Sequence, residues 1–303
     1  LTGLRQIRQD YRGQLAGLYP PEEIDHIFNI LLEHYLGLPR ITLAMEPGKT
    51  LSEKQAQPLL DALNALKAHQ PVQYLTGRAP FMGMDLLVTP AVLIPRPETE
   101  ELVLWILEFR GVLAPGCRFM DVGTGSGCIA LALKQHLPSA EGHAMDVSET
   151  ALEVARTNAA TLGLELVFHL KDLRTPGGEW PQFDLLVSNP PYVPLTEKDR
   201  MMPHVARSEP HTALFVPDTD PLVMYRHLAR FGALQLKTGG WIFLEVHEAF
   251  GNQVAGLLEG AGFADVVMKK DIFGKDRFVR GRWPGPMPGA PAIGANPKQT
   301  TRI

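Results

Sequence analysis

The chain has 303 residues, a formal net charge of −4, 45% hydrophobic residues and 20% charged residues. That length accommodates one large domain plus a small one, and the composition is that of a soluble globular protein. The acidic balance argues against a protein whose main business is gripping nucleic-acid backbones. No apolar run approaches the roughly 20 residues of a membrane span, and the N-terminus lacks a basic region followed by an apolar core, so the expected location is the cytoplasm.

In chain order, the first segment reads as helical from Leu1 to about Ala68. Ile24, Ile27, Phe28, Leu31, Leu32 and Tyr35 recur at spacings of three and four, with Pro20 and Pro21 before them and Gly37 after them as start and stop signals. Leu59, Leu60, Leu63 and Leu66 mark a second amphipathic stretch. Residues 1–70 are therefore expected to form a small helical domain. Residues 71–97 change character. Gly77, Pro80, Gly83, Pro90, Pro95 and Pro97 punctuate short apolar runs, including Leu86-Leu87-Val88 and Val92-Leu93-Ile94, and predict a linker and a β-hairpin.

From Glu98 strands and helices alternate: helix 98–110, strand 118–122, helix 127–137, strand 142–146, helix 149–162, strand 164–169 and strand 184–188. Helix 221–236, strand 240–246, helix 250–261 and strands 264–270 and 277–282 follow. Repeated βα units predict an α/β domain over 98–283 with a mostly parallel seven-stranded sheet. The last two strands have no helix between them and are expected to form a C-terminal antiparallel hairpin. Residues 284–303 are rich in Pro, Gly and Ala and are expected to be disordered. Cys117 and Cys128 fit no zinc spacing and read as packing residues in a reducing compartment; no metal site is expected.

The strand 118–122 runs into Gly123-Thr124-Gly125-Ser126-Gly127, where alternating glycines permit a sharp turn and close approach of a ligand. A dinucleotide fingerprint read from Gly123 would need glycine at position 128, which is Cys128, so a hydride-transferring dehydrogenase is disfavoured. Asp121 at the strand end would repel a pyrophosphate but suits the cationic amino-acid part of S-adenosylmethionine. Asp146 ends the next strand and can accept two ribose hydroxyls. Asp172 follows the third and can accept from an adenine amino group. Each acid alone reads equally as a helix N-cap; the three together at successive strand ends point to a nucleoside ligand.

The strand 184–188 leads into Asn189-Pro190-Pro191-Tyr192. The prolines fix their own φ and hold the preceding residues extended. The Asn189 side-chain oxygen and the Pro190 carbonyl are two adjacent acceptors for the hydrogens of one –NH₂ group, and Tyr192 offers an aromatic face to a flat substrate. An amide nitrogen is a poor nucleophile, so orientation, which can supply roughly 7–11 kcal/mol, should outweigh any single hydrogen bond. The residues thus predict an S-adenosylmethionine-dependent N-methyltransferase.

Together these segments resemble the HemK/PrmC family, the peptide-chain release factor glutamine N5-methyltransferases. The likeness runs from about Arg5 to Arg282. It includes Pro71-Val72-Gln73-Tyr74-Leu75-Thr76-Gly77, Leu93-Ile94-Pro95-Arg96-Pro97-Glu98-Thr99-Glu100, Arg207-Ser208-Glu209-Pro210 and Ala213-Leu214. The resemblance implies a Rossmann-like class I methyltransferase fold plus the N-terminal helical domain, and a monomer. It implies methyl transfer from S-adenosylmethionine to the glutamine of Gly-Gly-Gln in class 1 release factors, without direct nucleic-acid or membrane binding. By it, Gly123, Thr124, Gly125, Ser126, Gly127 and Asp146 bind the cofactor, with Asp121, Asp172, Leu173 and Asn189 completing its site. Asn189, Pro190, Pro191 and Tyr192 hold the glutamine amide, and the helical domain helps grip the release factor. Leu173 departs from the aromatic residue that some members carry there, but still offers an apolar wall. Arg96 and Phe81 are candidates for the substrate pocket. Arg96 reads equally as part of a helix start, and Phe81 as core. Arg207 and Glu209 read equally as a surface ion pair. The alternatives are a nucleic-acid adenine-N6 or cytosine-N4 methyltransferase, which applies the same Asn-Pro-Pro-Tyr logic to a flipped base, and a non-catalytic translation-factor adaptor.

Overall fold

The computed structural model describes residues 1–109 and 113–286. They form two compact units. One comprises Leu1–Arg78, Val88–Pro90 and Arg200–Glu209, and the other comprises Ala79–Leu87, Ala91–Asp199 and Pro210 onward. Arg110 to Val112 and the tail from residue 287, which takes in most of the segment 284–303, lie outside the described residues.

The first unit is built on helices α1 (Leu4–Leu15), α2 (Pro21–Leu36) and α3 (Glu53–Lys67). Pro21 occupies the first turn of α2, where its missing N–H costs nothing, and Gly37 ends the helix in a left-handed conformation. Ser52 and Gln55 cap α3 reciprocally. The apolar stripe of α2 (Ile24, Ile27, Phe28, Leu31, Leu32) packs with Leu4, Ile7, Tyr11 and Leu15 of α1 and Leu59, Leu63 and Leu66 of α3. Tyr11 donates its buried hydroxyl to the Leu59 carbonyl and meets Phe28 edge-on at 5.0 Å. Asp25 is clamped by Arg12 and Arg8, which hold its carboxyl down at about 2. Three features differ from the sequence readings, one in the helical domain, one in the linker and one in the surface ion pair expected of Arg207 and Glu209. A two-residue antiparallel ribbon joins Thr2–Gly3 to Thr50–Leu51, Val72–Thr76 is a short helix, and Glu209 is buried while Arg207 is exposed, so Glu209 is no surface carboxylate.

A hairpin follows, β1 (Arg78–Phe81) and β2 (Met84–Leu87), and from Ala79 it belongs to the second unit. Its two-residue turn, Met82-Gly83, has φ of +48° and +75°, the primed geometry that matches strand twist. Val92-Leu93-Ile94 is not a strand. Helix α4 (Pro97–Glu108) follows, and then β3 (Arg118–Val122), α5 (Cys128–His136), β4 (Glu141–Asp146), α6 (Glu149–Leu162), β5 (Val167–Leu170) and β6 (Phe183–Ser188). After them come α7 (Val223–Gln235), β7 (Leu236–Glu245), α8 (Gly251–Gly260), β8 (Ala264–Lys270) and β9 (Asp276–Arg282). Seven strands form one sheet in the order β8-β9-β7-β6-β3-β4-β5. Only β9 runs against its neighbours, pairing antiparallel with both β7 and β8. This is the mostly parallel sheet with a terminal antiparallel hairpin that the sequence predicts, although β5 starts three residues later than expected.

Period-two alternation sends successive side chains to opposite faces. Phe119, Leu185, Val187, Phe243 and Phe278 pack under α4 and α5, whereas Met120, Leu186, Ile242, Leu244 and Val279 pack under α7 and α8. Covering both faces explains why these strands read as nearly continuous apolar runs. Gly142 in β4 shows how close the packing is. A Cβ there would stand 2.4 Å from Leu166 Cδ2 and 2.5 Å from Phe119 Cζ. Gly142→Ala is expected to destabilise the fold by about 1–3 kcal/mol. Calorimetry should register this as a fall of several degrees in Tm, and an unchanged Tm would show that Phe119 and Leu166 yield freely.

Candidate active site

The strand order reverses between β3 and β6, and in open α/β sheets the crevice beyond the strand C-termini at such a point is where ligands bind. A cavity of about 410 Å³ lies there, within the range of small-molecule sites. Its wall includes Gly123 to Ser126 after β3, Asp146 after β4, Asp172 and Leu173 after β5 and Asn189 to Pro191 after β6, together with Arg96.

The glycine loop is shaped from beneath. Asp121 is fully buried, and its Oδ2 accepts hydrogen bonds from Thr124 Oγ1 at 2.6 Å and Ala130 N at 3.2 Å. It is not part of the cavity wall, so the acid expected to face the ligand instead ties the loop to the start of α5. Gly123 and Gly125 take φ of +74° and +55° with open space where a Cβ would sit, so their requirement is conformational. Gly127 has φ +84°, but a Cβ there would come within 3.1 Å of Leu131 and 3.2 Å of Ala155. It lies behind the wall, where it lets α5 and α6 approach. From the cavity side, Asp146 accepts from Gly125 N through Oδ2 and from Ser148 N through Oδ1, both at 2.9 Å. Asn158 of α6 was not singled out in the sequence. Its Nδ2 donates to the Ser126 and Leu87 carbonyls and its Oδ1 accepts from Leu87 N, which binds the loop to the hairpin.

Asp172 lines the wall with its carboxylate gripped by Arg174, a neighbour the sequence reading overlooked, and the guanidinium holds its pKa below the usual range. Leu173 is buried in the wall and shares the core under α7. Cys117 packs in the core. Cys128 also reaches the cavity, with its thiol pushed up to about 12 by burial and by the Asp121 charge. Arg96 lines the cavity and immediately precedes α4. Phe81 is fully buried in the core under α4 and lies outside the wall, so the packing reading describes its position.

Asn189 leaves β6 with its Nδ2 donating to Thr99 Oγ1 at 3.1 Å. Among the described residues, neither its Oδ1 nor the Pro190 carbonyl receives a hydrogen bond. Tyr192 departs from expectation. Its ring is not in the cavity wall but packs edge-on to His247, and its hydroxyl donates to Glu245 Oε1 at 3.1 Å. Glu245 ends β7, is 1% exposed and also accepts from Thr99 Oγ1 at 2.8 Å. The sequence signal for it was present, since an acid closing the apolar run Trp241-Ile242-Phe243-Leu244 is the pattern that marked Asp121 and Asp146.

Two of these carboxyls make stability depend on pH. Burial pushes both Asp121 and Glu245 up to about 7, against the bonds from Thr124 and Ala130 in one case and from Thr99 and Tyr192 in the other. The folded state therefore holds these protons more tightly than the unfolded chain does. Their stabilisation is complete below the unfolded carboxylate range of about 4 and is lost as pH rises through about 7. Asp25 and Glu141, both held down at about 2, act oppositely and only in more acidic solution. Denaturant midpoints should fall as pH rises from about 5 to about 7, and the double variant Asp121→Asn, Glu245→Gln should flatten that fall. An equal slope in the variant would mean that neither carboxyl is perturbed.

Comparison with known proteins identifies what the chain as a whole is similar to. The PrmC N-terminal domain model matches residues 6–77, and the Methyltransferase small domain model matches residues 107–208. The chain is 39% identical over 277 residues to the Release factor glutamine methyltransferase of Bacteroides thetaiotaomicron, covering 91% of this chain and 99% of that one. It is 36% identical over 279 residues to the protein of the same name from Flavobacterium psychrophilum, covering 91% and 98%. Among solved structures, the 16S rRNA N2 G1207 methyltransferase of T. Thermophilus in complex with AdoMet and guanosine superposes with a TM-score of 0.50 at 17% identity, covering 68% of this chain and 49% of that one, a likeness of fold alone.

Proposed function

We infer the function from one premise: this chain belongs to the release factor glutamine methyltransferase family. It is an S-adenosylmethionine-dependent enzyme that methylates the side-chain nitrogen N5 of the glutamine in the Gly-Gly-Gln motif of class 1 peptide-chain release factors. The observation that carries this reading is the state of Asn189. Its amide nitrogen is already engaged by Thr99, and its oxygen and the Pro190 carbonyl remain as acceptors beside the glycine loop.

The cofactor fits the residues present. Ser126, in the cavity wall, has its Oγ buried without a hydrogen-bond partner, and Asp146 and Asp172 line the cavity, so the site offers acceptors and negative charge to a ligand rich in donors. On this reading Gly123 to Ser126 cradle the ligand's amino-acid part, Asp146 accepts from its ribose, and Asp172 and Leu173 adjoin the adenine. Bound there, S-adenosylmethionine supplies an electrophilic methyl group on a sulfonium.

The chain's own residues supply position. Asn189 Oδ1 and the Pro190 carbonyl take one N–H each of the glutamine amide, fix the plane of the –NH₂ group and favour the positive charge that develops on nitrogen. Pro190 and Pro191 keep that pair of acceptors stiff. The methylated nitrogen is strongly acidic until it sheds a proton, so no strong base has to act before transfer. Residues 1–70 help to grip the release factor, and the cytoplasm, where translation terminates, is the place of action.

The test is transfer from labelled S-adenosylmethionine to a purified class 1 release factor, with its Gly-Gly-Ala variant and duplex DNA alongside and the modified residue mapped by mass spectrometry. Label confined to the glutamine is the expected result. Label on DNA alone would replace this reading with a nucleic-acid methyltransferase.

A further inference from the structure

We propose that Thr99 and Glu245 are positioning residues that set which way round the Asn189 carboxamide faces the substrate. The inference deepens the reading above and rests on it in one respect, that the group presented to Asn189 is an –NH₂.

A carboxamide has nearly the same shape when its oxygen and nitrogen are exchanged by a half-turn of the side chain. One orientation offers an acceptor to the substrate amide and the other offers a donor, which would meet the substrate's own N–H groups and repel them. What lies behind Asn189 has to decide between them. A hydroxyl by itself does not, because it both donates and accepts. Thr99, in the first turn of α4, meets the Asn189 Nδ2 at 3.1 Å, and its Oγ1 lies 2.8 Å from Glu245 Oε2. Tyr192 approaches Oε1 of the same carboxylate at 3.1 Å. An ionised carboxylate can only accept. It therefore draws both hydroxyl protons towards itself, which leaves Thr99 Oγ1 with lone pairs for the Asn189 nitrogen and turns Oδ1 to the cavity. The direction of donation along Asn189, Thr99 and Glu245 is fixed at its far end.

Glu245 is otherwise hard to explain. A carboxylate that is 1% exposed and met by two neutral hydroxyls is an expensive group at the end of a core strand. The other groups that bear on it are the Arg277 guanidinium, which favours its charge, and Glu98, which opposes it; Tyr225 donates to its backbone carbonyl at 3.2 Å. Burial outweighs these and brings its pKa up to about 7. A protonated Glu245 would become a donor to Thr99, free the Thr99 hydroxyl to donate to Asn189, and invert the carboxamide. Activity should thus rise with pH through about 7 while stability falls over the interval leading up to it.

The experiment compares Thr99→Ser with Thr99→Val in methyl transfer to a class 1 release factor. Serine keeps the hydroxyl and loses a methyl, whereas valine keeps the shape and loses the hydroxyl. The relay predicts kcat for the serine variant within about 3-fold of the parent and for the valine variant roughly 10²-fold lower, the scale of losing one aimed hydrogen-bond group, with KM and the cofactor Kd little changed. A packing role predicts the reverse order. Glu245→Gln should also lose the rise of kcat with pH. A substrate-free readout separates this idea from the functional reading: the Asn189 side-chain amide, observed by proton–nitrogen NMR, should be protected from exchange in the parent and the serine variant and unprotected in the valine variant. If the parent modifies no release factor but the amide behaves so, the relay stands and the substrate assignment falls. If the parent modifies the glutamine and the valine variant matches the serine variant, the relay is overturned.

Discussion

Asn189→Ala is expected to lower kcat on a class 1 release factor by roughly 10²–10³-fold, the range seen when one group aimed at developing charge is removed. The structure indicates why the loss should fall on kcat and not on cofactor affinity. Asn189 leaves the C-terminal end of β6 and is fastened to Thr99, so its oxygen is a pre-set acceptor that costs little to reorganise when the substrate amide arrives. Alanine removes that acceptor and leaves the Pro190 carbonyl alone, able to hold one N–H but not to fix the plane of the –NH₂ group. Folding should be little affected, because Asn189 is only half-buried and the hydrogen bond it gives up goes to a Thr99 that still donates to Glu245. Single-turnover transfer at saturating cofactor, with cofactor Kd measured separately by calorimetry, checks this. A loss confined to Kd would move Asn189 from the acceptor site to the cofactor site.

Asp146→Ala should act in the other half of the cavity, weakening S-adenosylmethionine binding by roughly 10²-fold or more while the residual rate at saturation stays within about an order of magnitude. The carboxylate holds the glycine loop through Gly125 N and the start of α6 through Ser148 N. Hydrogen bonds to a charged group contribute about 1.5–3 kcal/mol each, and alanine removes both as well as the acceptors offered to a ribose. Asp146→Asn makes the sharper comparison. A carboxamide of the same size must point an N–H at one of two backbone N–H donors, so asparagine should restore little of the affinity. Full restoration by asparagine would show that shape, and not acceptor capacity, is what the loop requires.

The features that were legible along the chain are those encoded locally. The glycines after β3 announce a backbone with positive φ, the paired prolines announce a stiff extended end to β6, and period-two apolar runs alternating with helical ones announce a parallel sheet covered on both faces. These depend on each residue's own steric limits and on neighbours within a few positions, so 118–122, 149–162 and 264–270 agree with the observed elements to the residue. The ligand class was legible for the same reason, because strand ends in such a sheet converge on one edge whatever the rest of the chain does.

Only the tertiary structure decided where the side chains at that edge point. Asp121 turned beneath its own loop to meet Thr124 and Ala130, Tyr192 turned to Glu245, and Phe81 went into the core. Glu245 gained its place from partners far off in sequence: Thr99 lies 146 positions from it and 90 from Asn189. A run of sequence specifies the backbone dihedrals it can bear, but the rotamer of a polar group at the end of a strand follows the nearest buried donor or acceptor. Which donor is nearest is settled only when the sheet and its helices have packed.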